Sequence, residues 1–506
     1  MKTTNPLSSQ GPPWQQFSFW LGARPSWAQR LPQTARNGLV PRRLALAEPL
    51  RPGRPRSNRT IKRIAAQWFC ATALAVGLVA LAAALQAAQR PVASTPRATS
   101  GDTAVEPDWS QHLTITVGPA PADLVGANDR VLQASVDYVA RLGGGTVRVL
   151  PGTYRLRNAV FLQSKVRLIG SGVETILIKE PSITTKLAED SDWYDQEITL
   201  EDANDFAVGD GVCLRAKNLD TGERTVVKRT LVARDGRRFK LDRPWRENFW
   251  KRHDATVSTL FPILSGETIS DGVIQDLTLD GNKAHNDHLD GNYAGCVFLQ
   301  DCNRIAIRGI HARNYNGDGI SWQVCHDVIV ENCASEHHTG LGFHPGSGSQ
   351  RPVIRNCRAE GNDIGLFFCW GVKFGLAENN KFVGNRVGVS IGHRDTDNLV
   401  TGNEIRQSRQ VGVLFRDEKD TSFAGHRNRI ENNRIIDSGS TNGVAIDVQG
   451  ATEAVVLSGN QILETRQPAE RIAVRLGAET KAIDVRTNQI TGFATAVKQL
   501  PQTSPR

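Results

Sequence analysis

Short apolar strands recur along the second half of the chain at a nearly fixed spacing. Gly295, Gly319, Gly340, Gly365, Gly388, Gly412 and Gly443 each stand before one: GCVF, GISW, GLGF, GLFF, GVSI, GVLF and GVAI, with steps of 24, 21, 25, 23, 24 and 31 residues. Out of phase with them, Ile310, Cys333, Cys357, Asn380, Asn403, Asn433, Asn460 and Asn488 step by 23, 24, 23, 23, 30, 27 and 28. Two columns sharing a period near 23, with no helical pattern between them, predict a parallel β-helix whose coils stack at about 4.8 Å. In that arrangement stacked asparagines hydrogen-bond one another and the local backbone inside the coil. Upstream, ANDRVLQASVDYVARLGGG carries Leu132, Val136 and Val139 at helical spacing behind Asn128 and Asp129 and stops at a glycine run. This predicts one amphipathic helix, which would cap the open end of the stack. Val147/Val149, Tyr154/Leu156 and Val166/Leu168 then alternate with polar residues as strands do. Residues about 187–262 break the pattern and read as a small β insertion forming one wall of a cleft. The fold class is therefore all-β: a single-stranded right-handed parallel β-helix over residues 112–500 with an N-terminal capping α-helix.

The first hundred residues differ in kind. Ile64 to Leu85 is apolar apart from Gln67 and, at 1.5 Å per residue, covers a hydrocarbon core of about 30 Å. Lys62 and Arg63 before it hold the N-terminus on the cytoplasmic side. Residues 64–88 thus read as an uncleaved transmembrane signal anchor, 1–63 as a basic disordered tail and 89–111 as a linker, with the bulk of the chain periplasmic or extracellular. Formal net charge is +9, but the tail alone, with 12 Lys/Arg against Glu48, carries +11, which leaves −2 for the rest. A nucleic-acid partner is excluded on that distribution. The eight cysteines include Cys70 in the span and form no CxxC pair or zinc-type spacing, and Cys296, Cys333 and Cys357 read as small inward hydrophobes.

Residues one and three after each glycine are apolar and read as inward: Ile320/Trp322, Leu341/Phe343, Val413/Phe415. Those four after it then form an outward column, Gln323, His344, Cys369, Gly392, Arg416 and Asp447, with Asp318, His338 and Asp363 just before the strands. A long groove with polar rungs suits a polysaccharide. Eliminating or epimerising a uronate requires a base for the C5 proton and a cation beside the carboxylate. His344 or His338 is the candidate base, Arg416 the neutraliser, and Asp318 with Asp363 the orienters or cation ligands. Gln323, Trp370 and Asp447 are the candidate substrate-binding residues, Trp370 by stacking on a sugar ring. Asp280, His285, Asp287, His288 and Asp290, in LDGNKAHNDHLDGN, form a loop where Ca2+ is the one cofactor considered. Against this stands a non-catalytic reading, in which Asp before Gly is a turn residue, the histidines are solvated, and the protein binds glycan or serves as a surface structure.

The stretch GANDRVLQASVDYVARLGGGTVRVLPGTYRL…VRLIGSG, followed by VIQDLTLDGN and the ladder, resembles the pectate lyase superfamily of right-handed parallel β-helix proteins over roughly residues 112–500. The resemblance implies the fold. It leaves activity open, because lyases, hydrolases, epimerases, tailspikes and proteins without known chemistry share it. NGDGISW, residues 316–322, resembles the NTDGID strand of polygalacturonases, with Asp318 matching its acid. One coil later that family has paired aspartates where this chain has His338-Thr339, and two coils later a Gly-His-Gly where this chain has NDIGLFF. Hydrolysis by two carboxyls about 5 to 9.5 Å apart therefore ranks behind elimination or epimerisation.

Overall fold

The computed structural model describes residues 106–219, 221–466 and 470–501. The tail, the Ile64–Leu85 span and the linker up to residue 105 lie outside the described residues, among which no helix is long and apolar enough to cross a membrane. From Gly295 onward each coil lays down three short strands, and every strand pairs in parallel with its counterpart one coil later. On the first face Gly295–Gln300, Asp318–Gln323, Leu341–Gly346, Ile364–Phe367, Val387–Ile391, Val411–Phe415 and Val444–Val448 run in succession within an 11-stranded parallel sheet. Asn303–Arg308 on His326–Glu331 begins the second face, and His311–Arg313 on Ala334–Glu336 the third. The helix Asp129–Arg141 forms as its sequence predicts: Asn128 accepts a hydrogen bond from Val131 N at its start, and Leu132, Val136 and Val139 are buried in the same core as the coils.

The glycine column is real, but its register differs from the one read in sequence. Ile320 pairs with Phe343, and Leu341 with Ile364, so the partner of Gly319 is Gly342, not Gly340. The aligned column is Gly319, Gly342, Gly365, Gly388 and Gly412, flanked by Cys296 and Ala445 in place of Gly295 and Gly443. Close approach of coils selects glycine here. A Cβ on Gly365 would lie 2.7 Å from the Gly388 carbonyl, and one on Gly388 only 2.5 Å from both the Gly412 carbonyl and Ile405. Ile320 and Trp322 accordingly stack on Phe343 and Pro345. The outward side chains separate into two rows. One is Ser321, His344, Phe367, Ser390, Leu414 and Asp447; the other is Gln323, Gly346, Cys369, Gly392 and Arg416.

At the second corner the asparagines do what their spacing predicts. Asn380 N donates to Asn403 Oδ1 at 2.8 Å, Asn403 N to Asn433 Oδ1 at 2.9 Å, and Asn433 N to Asn460 Oδ1 at 2.9 Å. Each amide nitrogen also donates to a carbonyl of the preceding coil, as Asn403 Nδ2 does to Ala377 O. Cys333 and Cys357 extend this ladder with sulfur as the acceptor. Replacing Asn403 with leucine is expected to strand buried amide groups above and below it and to lower stability by on the order of 1–3 kcal/mol. A denaturant titration measures this, and an unchanged midpoint would show that the rung contributes nothing.

A second sheet of six antiparallel strands, between Thr184–Lys186 and Thr256–Ser258, has its own core around Trp245, Phe249, Phe239 and Leu214. One of its strands, Arg224–Asp235, brings Lys228 onto the first face of the β-helix. There Lys228 Nζ donates to the Tyr293 carbonyl and lies 4.0 Å from the centre of the Phe298 ring.

Candidate functional site

Asp318 and His344 come together on the first face, as sequence spacing predicts. His344 Nδ1 is 2.8 Å from Asp318 Oδ2, and Asp318 Oδ1 accepts the Leu341 N–H at 2.9 Å. Ser321 Oγ, one coil before His344 in the same row, lies 3.3 Å from that Nδ1 and donates to Gly291 O at 2.7 Å. The pair is covered: each side chain is only 4% exposed. The loop Leu289–Tyr293 supplies the cover, with Gly291 so close that a Cβ there would sit 1.6 Å from Asp318 Oδ2. Burial pushes the Asp318 carboxyl above the usual range, opposed by its bond to His344. Because Asp318 holds Nδ1, the nitrogen left to act as a base is Nε2, which makes no hydrogen bond among the described residues and is not sealed from solvent. Ser321 shares Nδ1 with Asp318, so it lacks the relation to the distal nitrogen that a serine nucleophile needs.

Other expected members of the site are placed elsewhere. His338 is not on the groove. It is a rung of an interior ladder, accepting at Nδ1 from Tyr315 N at 3.0 Å, while its own N–H donates to Asn362 Oδ1 at 2.9 Å. Burial holds its pKa down at about 3, so it is neutral and cannot serve as the base. Asp363 is gripped by Arg386 through two bonds of 2.5 and 2.9 Å instead of orienting His344. Arg416 belongs to the outer surface, but its charge is matched internally: it bonds Asp395 Oδ2 at 3.0 Å, Ser390 Oγ at 2.9 Å and Phe368 O at 2.9 Å. Its guanidinium packs 4.5 Å over the Phe367 ring, whose other neighbour is His344 at 5.3 Å between centroids. Burial pushes the Asp395 carboxyl up to about 6 against the pull of Arg416.

Asp447 lies in the His344 row but four coils away, about 19 Å at the coil spacing, and is paired with Arg475 at 2.9 Å. Gln323 donates to Ser321 Oγ at 3.3 Å, while its Oε1 is buried without a partner. Trp370 is half-buried against His393 and Phe423, at 5.1 and 5.7 Å. The loop from Asp280 to Asp290 is held by local bonds, Asp280 to Arg313 and Asp287 to Thr184, each at 2.8 Å. Neither there nor elsewhere among the described residues does a group of three or more His, Cys, Asp or Glu stand ready to hold a metal ion.

Sequence reasoning missed Lys228, Tyr293, Phe298 and Phe367. Phe298 and Phe367 were legible as outward members of apolar strands. Lys228 was not, because only the docking of the inserted sheet brings it here. Burial lowers the Lys228 ammonium to about 8, and its hydrogen bond goes to a carbonyl.

Residues 265–405 match the family described as "Right handed beta helix region", and residues 348–492 match "Periplasmic copper-binding protein (NosD)". No curated protein matches the sequence. Among solved structures the chain is similar to a mannuronan C-5 epimerase A-module of Azotobacter vinelandii, at 16% identity and TM-score 0.47 over 75% of this chain and 100% of that one. It is also similar to the tailspike gp61 of Pseudomonas phage phi297, at 12% identity and TM-score 0.33 over 72% and 68%. A third is the gp54 tailspike of Acinetobacter baumannii bacteriophage AP22, solved with a capsular saccharide, at 12% identity and TM-score 0.30 over 74% and 70%. These are likenesses of fold. Three parallel faces, ladder corners at a period near 23 and the match of residues 265–405 to the right-handed β-helix family model make the chain a right-handed parallel β-helix protein.

Proposed function

We propose that the protein acts on an acidic polysaccharide by removing the C5 proton of a uronate unit, in a lyase or epimerase reaction. The observation that carries this reading is the Asp318–His344 pair, which sits on the outward row and leaves Nε2 as its reactive atom. Asp318 fixes the tautomer and stabilises the imidazolium that forms when Nε2 takes the proton. Cover by the 289–293 loop keeps water from the pair, which strengthens the interaction between them. Arg416 is committed to Asp395, so Lys228, whose bond goes to a carbonyl, is the cation assigned to the substrate carboxylate. Phe298 and Phe367 offer apolar surface to the sugar faces. The site is read as lying outside the cytoplasm, held there by Ile64–Leu85.

Intact cells expressing the full chain should convert added uronate polymer, detected as unsaturated ends for a lyase or as deuterium entering C5 from heavy water for an epimerase. Conversion by broken cells alone would overturn the export reading, and conversion by neither would overturn the reaction. The tight cover over His344 favours a second reading, a glycan-binding protein without turnover. In that case polymer is retained by the chain and returned chemically unchanged.

A further inference from the structure

A second set of reactive groups lies on the same face, beginning one rung from His344. Cys369 pairs across the coils with Gly346, which places it in the outward row of Gln323. It alone among the seven described cysteines is only partly buried. Its Sγ is 3.1 Å from His393 Nδ1, and His393 Nε2 is 2.7 Å from Glu418 Oε1. The carboxylate on Nε2 fixes the hydrogen there and turns the lone pair of Nδ1 toward the thiol. The Trp370 ring packs on the imidazole at 5.1 Å and limits its rotation. Three different coils thus supply a nucleophile, a base and the group that orients the base. His393 and Glu418 keep 30% and 18% of their side-chain surface open, so the assembly is not a sealed core contact.

We propose that Cys369, His393 and Glu418 form a nucleophilic triad that cleaves acyl esters, the natural class being an O-acylated saccharide lying along this face. Sγ attacks the ester carbonyl while His393 Nδ1 takes the thiol proton. The alcohol leaves with that proton, and a thioester remains on Cys369. Water then attacks the thioester, His393 again accepts a proton, and the acid and free thiol are released. Ester and water become acid and alcohol, with no other reagent. Cys369 is held as the neutral thiol, since burial raises its pKa to about 12, so transfer to His393 accompanies attack instead of preceding it. His393 is a catalytic residue because it contacts the reacting thiol; Glu418 is a positioning residue.

The full chain is incubated with p-nitrophenyl acetate, which carries no sugar, so the result is independent of the uronate reading. Nitrophenolate release is followed by absorbance and the acylated residue by peptide mass spectrometry. The expected result is a burst of nitrophenolate with one acetyl group on the peptide containing Cys369. C369A should show no burst, and H393Q should acylate about 100-fold more slowly. E418Q should lower kcat by about tenfold with KM unchanged, the signature of a misoriented base. Thermal melts establish that each variant is folded, and E418Q carries the test if H393Q is not. Acetylation of Cys369 at the same rate in the wild type, H393Q and E418Q would overturn the triad, as would a wild type whose acetyl groups appear only on lysines.

Discussion

Replacing His344 with glutamine is expected to lower turnover of uronate polymer by about 10²- to 10⁴-fold while leaving retention of the polymer unchanged. Glutamine keeps an amide to meet Asp318 but has no atom that accepts a carbon-bound proton. Asp318→Asn should produce a smaller loss, because the imidazole stays in place while its imidazolium form loses the carboxylate that stabilises it. Turnover measured beside affinity electrophoresis on the same polymer separates the two effects. Full turnover in H344Q would remove the base from His344. Equal loss of retention and turnover would assign the ring to binding.

The second large effect concerns stability in acid. His338 is neutral in the fold because burial lowers its pKa to about 3, whereas in the unfolded chain it titrates near 6.5. Between those values the unfolded state binds a proton that the folded state refuses, so stability falls as pH falls from about 6.5 toward 3. The slope is at most about 1.4 kcal/mol per pH unit for this one group. His338→Asn should flatten that slope. Asparagine is also the residue that the next rungs use, since Asn362 Nδ2 donates to Ser335 O and Asn385 Nδ2 to Ala359 O. At position 338 the matching acceptor is Ala312 O, in register with Ser335, where the His338 Nε2 completes no bond. Urea unfolding of both proteins at pH 7 and pH 4 reads the difference. An H338N protein that loses as much stability between those values as the wild type would show that other groups govern acid unfolding.

Much of this architecture could be read from residue spacing, because a ladder needs the same side chain at the same corner of every coil. The Asn380–Asn403–Asn433–Asn460 column survives intact in the structure for that reason. The glycine column was misread at Gly340 because HTGLGFH offers two glycines before apolar residues, and only the strand pairing, Ile320 with Phe343 and Leu341 with Ile364, selects Gly342. That slip was of two residues, which preserves the side on which a strand residue points. Asp318 and His344 were therefore paired rightly on a wrong register. His338 was misplaced because it precedes its strand much as Asp318 does, although its true counterpart one coil earlier is Tyr315, a core residue. The Arg416–Asp395 pair and the arrival of Lys228 depend on loops and on the inserted sheet, and no periodic signal reaches them.

The corners also determine where the chain can change length. Asn398 to Asn428, Asn403 to Asn433 and Ser408 to Ser438 all span 30 residues yet remain bonded as neighbouring rungs, although most steps before them span 23. The extra residues leave the stack after Phe415, in the segment holding Glu418 and the short turn Thr421–Phe423. In that coil the added length is taken up at a rim of the first face, while the interior keeps its count. A loop can therefore lengthen or shorten at that rim while the ladder rungs on either side of it stay bonded.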